Sequence, residues 1–133
     1  ESNDLPETPE ITFTVDGAFE PVLIDLPQPQ SLVRFLAPGL KREDPDFFTA
    51  YVVNYTYGGG GFGSRLMESL RVQKGLTYGV YTWLSFDDTY QNWGGSGQTK
   101  NESVGEFVEA LLAETALIAI IGITAEKIVD VKA

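Results

Sequence analysis

Gly58-Gly59-Gly60-Gly61-Phe62-Gly63-Ser64-Arg65 is the stretch whose residue types first suggest chemistry. Glycine-rich backbone in front of a helix can present N–H groups to an anion. The spacing argues against a phosphate loop. That motif needs Lys and then Ser or Thr after the last glycine, and the dinucleotide fingerprint needs a strand, not a helix, before the glycines. Asp87-Asp88 and Glu43-Asp44-Asp46 offer carboxylates for a hard cation or for paired acid–base work. The first is placed as a hairpin turn and the second as a helix start, where the dipole favours negative charge. Trp83 and Trp93 have faces for a flat ligand, but large aromatics on paired strands are more often cross-strand packing partners. Arg34 is expected as an outward charge on a sheet face, with a ligand contact as the alternative.

The 133 residues contain no His and no Cys. That removes the commonest general base, every Ser-His-Asp triad, thiolate zinc sites and disulfides. The length suits one domain. A hydrophobic content of 43% and a charged content of 21% suit a packed core rather than a disordered chain. Nineteen acids against nine bases give a net charge of -10, the wrong sign for a phosphate backbone. No stretch approaches the roughly 18 apolar residues of a spanning helix. Neither nucleic acid nor a membrane is expected as a partner.

The elements that would position these groups follow from patterning. Residues 1–10 hold four acids and two prolines and are expected as an acidic linker or tail. Ile11, Phe13 and Val15 alternate as a short strand, and Pro21 to Leu26 and Ser31 to Ala37 are two more strand-like runs split by Pro27 and Pro29. Asp44-Pro45 opens a helix to about Tyr57, with Phe47, Phe48, Tyr51, Val52 and Tyr55 on one face. The Ser64 hydroxyl is placed to cap a second helix to about Gln73, with Leu66, Met67 and Leu70 buried and Gly75 as its stop. Leu76 to Phe86 and Thr89 to Thr99 form a hairpin. Ser103 with Glu106 opens a third helix to about Ile121, carrying Val104, Phe107, Val108, Leu111 and Leu112. Thr124 begins a fourth that stops at Ala133, and the start at Glu1, without Met or leader, fits either a removed leader or a start inside a longer protein. Residues 11–133 are therefore expected to be one α+β domain, cut inside a longer protein. Its largely antiparallel sheet carries helices on one face.

The segment GGGGFGSRLMESLRVQKGLTYGVYT, Gly58 to Thr82, resembles the insulinase/pitrilysin type of zinc metallopeptidases. That group includes mitochondrial processing peptidase and the core proteins of the respiratory bc1 complex. The resemblance rests on the glycine run leading into Ser64-Arg65-Leu66, then Leu70-Arg71, then Gly75-Leu76-Thr77-Tyr78. Val22-Leu23-Ile24-Asp25-Leu26, Gln30-Ser31 and Pro38-Gly39-Leu40 before Asp44-Pro45-Asp46 extend it over roughly Pro21 to Ala133. It implies a metallohydrolase-like peptidase fold, present in part, with two related domains facing like a clamshell. The first bears the H-x-x-E-H zinc helix whose Glu is the general base.

A chain with no His cannot be that first domain, so the resemblance assigns it to the metal-free partner domain. The family then implies that Arg71 and Tyr78 reach across to the substrate carbonyl and the developing oxyanion. Zinc is expected only in the catalytic domain or subunit that partners this one. A peptide is the implied substrate, and the chain is expected to be inactive alone. Gly60, Gly61 and Phe62 match the region of the processing peptidase's glycine-rich loop and become candidate substrate contacts, although the family's longer loop is absent. Bacterial members are often exported, which favours a periplasmic location over a cytoplasmic one. On the residues alone, Arg71 also suits a solvated helix-end cation and Tyr78 an ordinary strand aromatic. A noncatalytic assembly subunit of the same fold is the rival function, and an unrelated binding domain with a ligand-binding glycine loop is a third.

Overall fold

A computed structural model describes residues 21–87 and 89–121, with the side chains of 120 and 121 left aside. The expected tail, the strand at 11–15 and the fourth helix lie outside the described residues. Three antiparallel strands, β1 (Gln30–Pro38), β2 (Val80–Phe86) and β3 (Gln91–Lys100), form a sheet in the order β1-β3-β2. β1 alternates between exposed and half-buried residues along its length, as a strand with one covered face must. Arg34 stands on the outer face, as expected, with its guanidinium carbon 5.6 Å from the centre of the Trp83 ring.

Register assigns the rest. Val33, Gly97 and Val80 align across the sheet, as do Phe35, Gly95 and Thr82, and these face the helices. Trp83 pairs with Gly94 and Trp93 with Leu84. The two tryptophans therefore lie on opposite faces and do not pack on each other. Trp93 turns inward, edge-on to Phe35 at 5.2 Å, and its indole N–H donates to Asn54 Oδ1 at 2.9 Å.

On the inner face lie α1 (Phe47–Asn54), α2 (Val104–Ile121) and, between them in sequence, a π-helical segment, Met67–Gln73. The core between these helices and the sheet includes Tyr57, Leu66, Leu70, Val80, Phe107 and Leu111. This is the α+β arrangement expected, with helices on one side of an antiparallel sheet. No described helix is long and apolar enough to cross a membrane.

Several local expectations fail for identifiable reasons. Pro21 to Leu26 forms no strand, and Val22, Leu23, Ile24 and Leu26 stand exposed. Pro27 and Pro29 lack N–H donors and fix φ, so the run cannot fold back to pair with β1. Phe48, Tyr51 and Tyr55 are exposed rather than buried, because α1 has only eight residues and rests on the sheet by Phe47, its one fully buried residue. Asp44 caps a turn early, with Oδ1 accepting from the Asp46 N–H. Leu112 is also exposed; α2 packs through Phe107, Ala110 and Leu111 instead.

Tyr57 ties α2 to the glycine segment. Its ring is 2% exposed, and its hydroxyl lies 2.7 Å from Thr115 Oγ1 and donates to the Leu111 carbonyl at 3.4 Å. Burial pushes its pKa above the ordinary 10.0, against a smaller downward pull from the Thr115 bond. The unfolded phenol therefore gives up its proton first. The stability Tyr57 contributes is full below pH 10 and is lost as pH rises above it. We expect the urea midpoint to fall more steeply above pH 10 in the wild type than in Tyr57→Phe; equal slopes would contradict this.

Candidate functional site

The glycine run folds as helix rather than as an open loop. Residues Tyr55–Gly59 continue α1 with wider, π-helical winding, and the Gly60 N–H donates to the Tyr55 carbonyl five residues back at 2.8 Å. Side chains are excluded here by the neighbouring strand and by the helix's own preceding turn. A Cβ on Gly58 would lie 2.6 Å from Thr82 Oγ1 on β2, and one on Gly60 would lie 2.7 Å from the Tyr55 carbonyl oxygen. Gly61 has φ +68° with open space around it, a left-handed backbone that favours glycine. It turns the chain into Gly61–Gly63, a single 3-10 turn.

Leu66 and Leu70 are both fully buried. The π winding, marked by the Lys74 N–H donating to the Ser69 carbonyl, has more than four residues per turn and keeps them on one face. The Ser64 hydroxyl does not cap: it is buried with no hydrogen-bond partner, while its carbonyl accepts from the Glu68 N–H. Gly75, at φ +63°, reverses the chain, and the Leu76 N–H returns to the Leu70 carbonyl at 2.8 Å.

These two turns gather Phe62, Arg71 and Tyr78. The Arg71 guanidinium carbon lies 4.8 Å from the centre of the Phe62 ring and 5.4 Å from that of Tyr78. Both distances are within the range of cation–π attraction. The rings are 77% and 89% exposed, while Arg71 is half-buried. Among the described residues the one salt bridge joins Arg65 to Glu114, so Arg71 has no carboxylate partner there. A charged donor fork and a phenol are thus held side by side and open to solvent. Such a pair can donate hydrogen bonds to a carbonyl oxygen or an oxyanion.

The remaining candidates separate from this cluster. Gly60 and Gly61 shape the turn and leave Phe62 as the only side chain of the run beside Arg71. Asp87 Oδ1 accepts from the Thr89 N–H, which is a turn contact. Among the described residues no group of three or more His, Cys, Asp or Glu could hold a metal; with no His or Cys anywhere, a catalytic zinc does not fit these residues. A cleft of about 340 Å³ between α1, α2 and the sheet is lined by Leu40, Val53, Leu84, Trp93 and Ile118, among others. Three polar side chains on its wall are already partnered, Asn54 with Trp93 and Tyr57 with Thr115.

Known proteins resemble this chain in sequence and in fold. A Helicobacter pylori protein described as a non-peptidase homolog, YmxG, is 43% identical over 72 residues, which is 53% of this chain and 16% of that protein. The crystal structure of a peptidase M16 inactive domain from Pseudomonas fluorescens superposes with a TM-score of 0.75 at 30% identity, covering 79% of this chain and 26% of that one. A conserved protein from Enterococcus faecalis shares the fold, with a TM-score of 0.66 at 20% identity over 76% of this chain and 23% of its own. The chain thus spans about a quarter or less of each relative. The family model described as the peptidase M16 inactive domain matches residues 2–133. By that match over nearly its whole length, this chain belongs to the family of peptidase M16 inactive domains, of the insulinase type.

Proposed function

We propose that this chain is the noncatalytic partner domain of an insulinase-type zinc metallopeptidase. It closes the chamber over a peptide substrate and assists peptide-bond hydrolysis through Arg71 and Tyr78. The observation that carries the reading is the Arg71–Tyr78 pair: a guanidinium without a carboxylate partner among the described residues, 5.4 Å from the ring of a solvent-facing tyrosine. The zinc and the general base belong to the partner.

This chain's share is binding and charge stabilisation. Arg71 and Tyr78 donate to the scissile carbonyl, and their bonds strengthen as negative charge develops on its oxygen, so they favour the transition state over the bound peptide. Closing the two domains excludes water from the exposed pair and raises the worth of each bond.

With the catalytic partner present, Arg71→Lys is expected to lower kcat at least tenfold, because a point-like ammonium cannot reproduce the guanidinium fork. The measurement is steady-state peptide hydrolysis at equal zinc content, and an unchanged kcat would remove Arg71 from the reaction. The Helicobacter relative's description as a non-peptidase homolog favours a second reading, an assembly or structural role without peptidase activity. A parent protein or neighbouring subunit lacking the H-x-x-E-H helix would select it.

A further inference from the structure

Phe62 is the most exposed of the described phenylalanine and tryptophan rings that contact arginine, and only Tyr78, on the same guanidinium, is more exposed. Phe47, which lies under Arg42, is 3% exposed and belongs to the base of α1. Trp83, under Arg34, is half-buried and donates to Asn92 Oδ1. Phe62 is 77% exposed and stands on a single 3-10 turn that buries none of its residues. Burial therefore does not explain a large apolar ring there. Its one described ring contact is with the Arg71 guanidinium, at 4.8 Å, nearer than Tyr78 stands.

Arg71 is a long side chain with several rotatable bonds to fix, and it has no ion pair to fix it among the described residues. We propose that Phe62 is a positioning residue, whose ring holds the Arg71 guanidinium beside Tyr78 so that both donors meet one substrate oxygen. The inference rests on the assisting role given to Arg71 above. The glycines acquire a purpose from it: the left-handed turn at Gly61 delivers the ring to Arg71, with no glycine touching substrate. The property required is the π face and not apolar bulk. Tyr should replace Phe62 and Leu should not.

The test compares Phe62→Leu and Phe62→Tyr in the full-length protein with its zinc-loaded catalytic partner. Phe62→Leu is expected to lower kcat roughly 3–10-fold with KM and the unfolding midpoint nearly unchanged, and Phe62→Tyr to keep the wild-type kcat. In protein labelled with nitrogen isotope at arginine, the Arg71 Nε–H resonance should move in Phe62→Leu and stay in Phe62→Tyr. Wild-type kcat in Phe62→Leu, or equal losses in both variants, overturns the positioning role. If Arg71→Lys is impaired in the same assay, the assisting role survives that failure. If Arg71→Lys is itself fully active, the assisting role fails and the positioning role goes with it, whether or not the resonance moves.

Discussion

Phe107→Ala is expected to cost about 3–5 kcal/mol of folding stability, the range for truncating a buried phenylalanine. Phe107 is 1% exposed, and its ring lies directly on the middle strand: a Cβ on Gly97 would come within 2.6 Å of Phe107 Cζ. Glycine at 97 and phenylalanine at 107 are thus one packing unit, joining α2 to β3 where Val80 and Leu70 also belong to the buried cluster. Removing the ring leaves a cavity that the paired strands cannot close without breaking their register. Against a typical total of roughly 5–15 kcal/mol, the loss is large enough to unfold a good part of the population. Urea unfolding at neutral pH measures it. Leu112→Ala, one residue beyond Leu111 and exposed, should lose far less, and similar losses at 107 and 112 would contradict this packing.

How much of this was legible in the sequence depends on the range of the interactions. The strand-like run Ser31 to Ala37 foretold β1, and Arg34 was expected outward, because strand composition and the alternation of side chains across a strand are local. The Gly75 stop and the hairpin were readable for the same reason. Periodicity also misled, at Leu112 and elsewhere. It assumed 3.6 residues per turn, so it missed the π winding of Tyr55–Gly59, where Gly58 backs onto Thr82 of a distant strand, and the π winding of Met67–Gln73. It also credited α1 with a buried aromatic stripe, although nothing local reveals how little of a short helix the sheet will cover.

The candidate site was legible only through resemblance. Nothing about positions 62, 71 and 78 marks them as neighbours; two left-handed glycine turns, at Gly61 and Gly75, bring them together. Phe62 was named as one of three glycine-loop contacts. Its stacking on Arg71 depends on the path of the turn, which composition does not encode.

The central claim, that this domain assists a reaction it cannot itself begin, is tested most directly by kcat for peptide hydrolysis with Tyr78→Phe in place of the wild-type chain and the zinc-bearing partner held constant. The substitution deletes one hydroxyl. Tyr78 is 89% exposed, and the phenylalanine ring can still lie beside Arg71, so fold, zinc content and the stack should persist. Losing one oxyanion donor costs roughly 10²–10³ in kcat, and because the bond is strongest in the transition state, KM should move little. That fall is expected in a folded, zinc-loaded protein. A wild-type kcat for Tyr78→Phe under the same conditions would contradict it and leave the chain an assembly role.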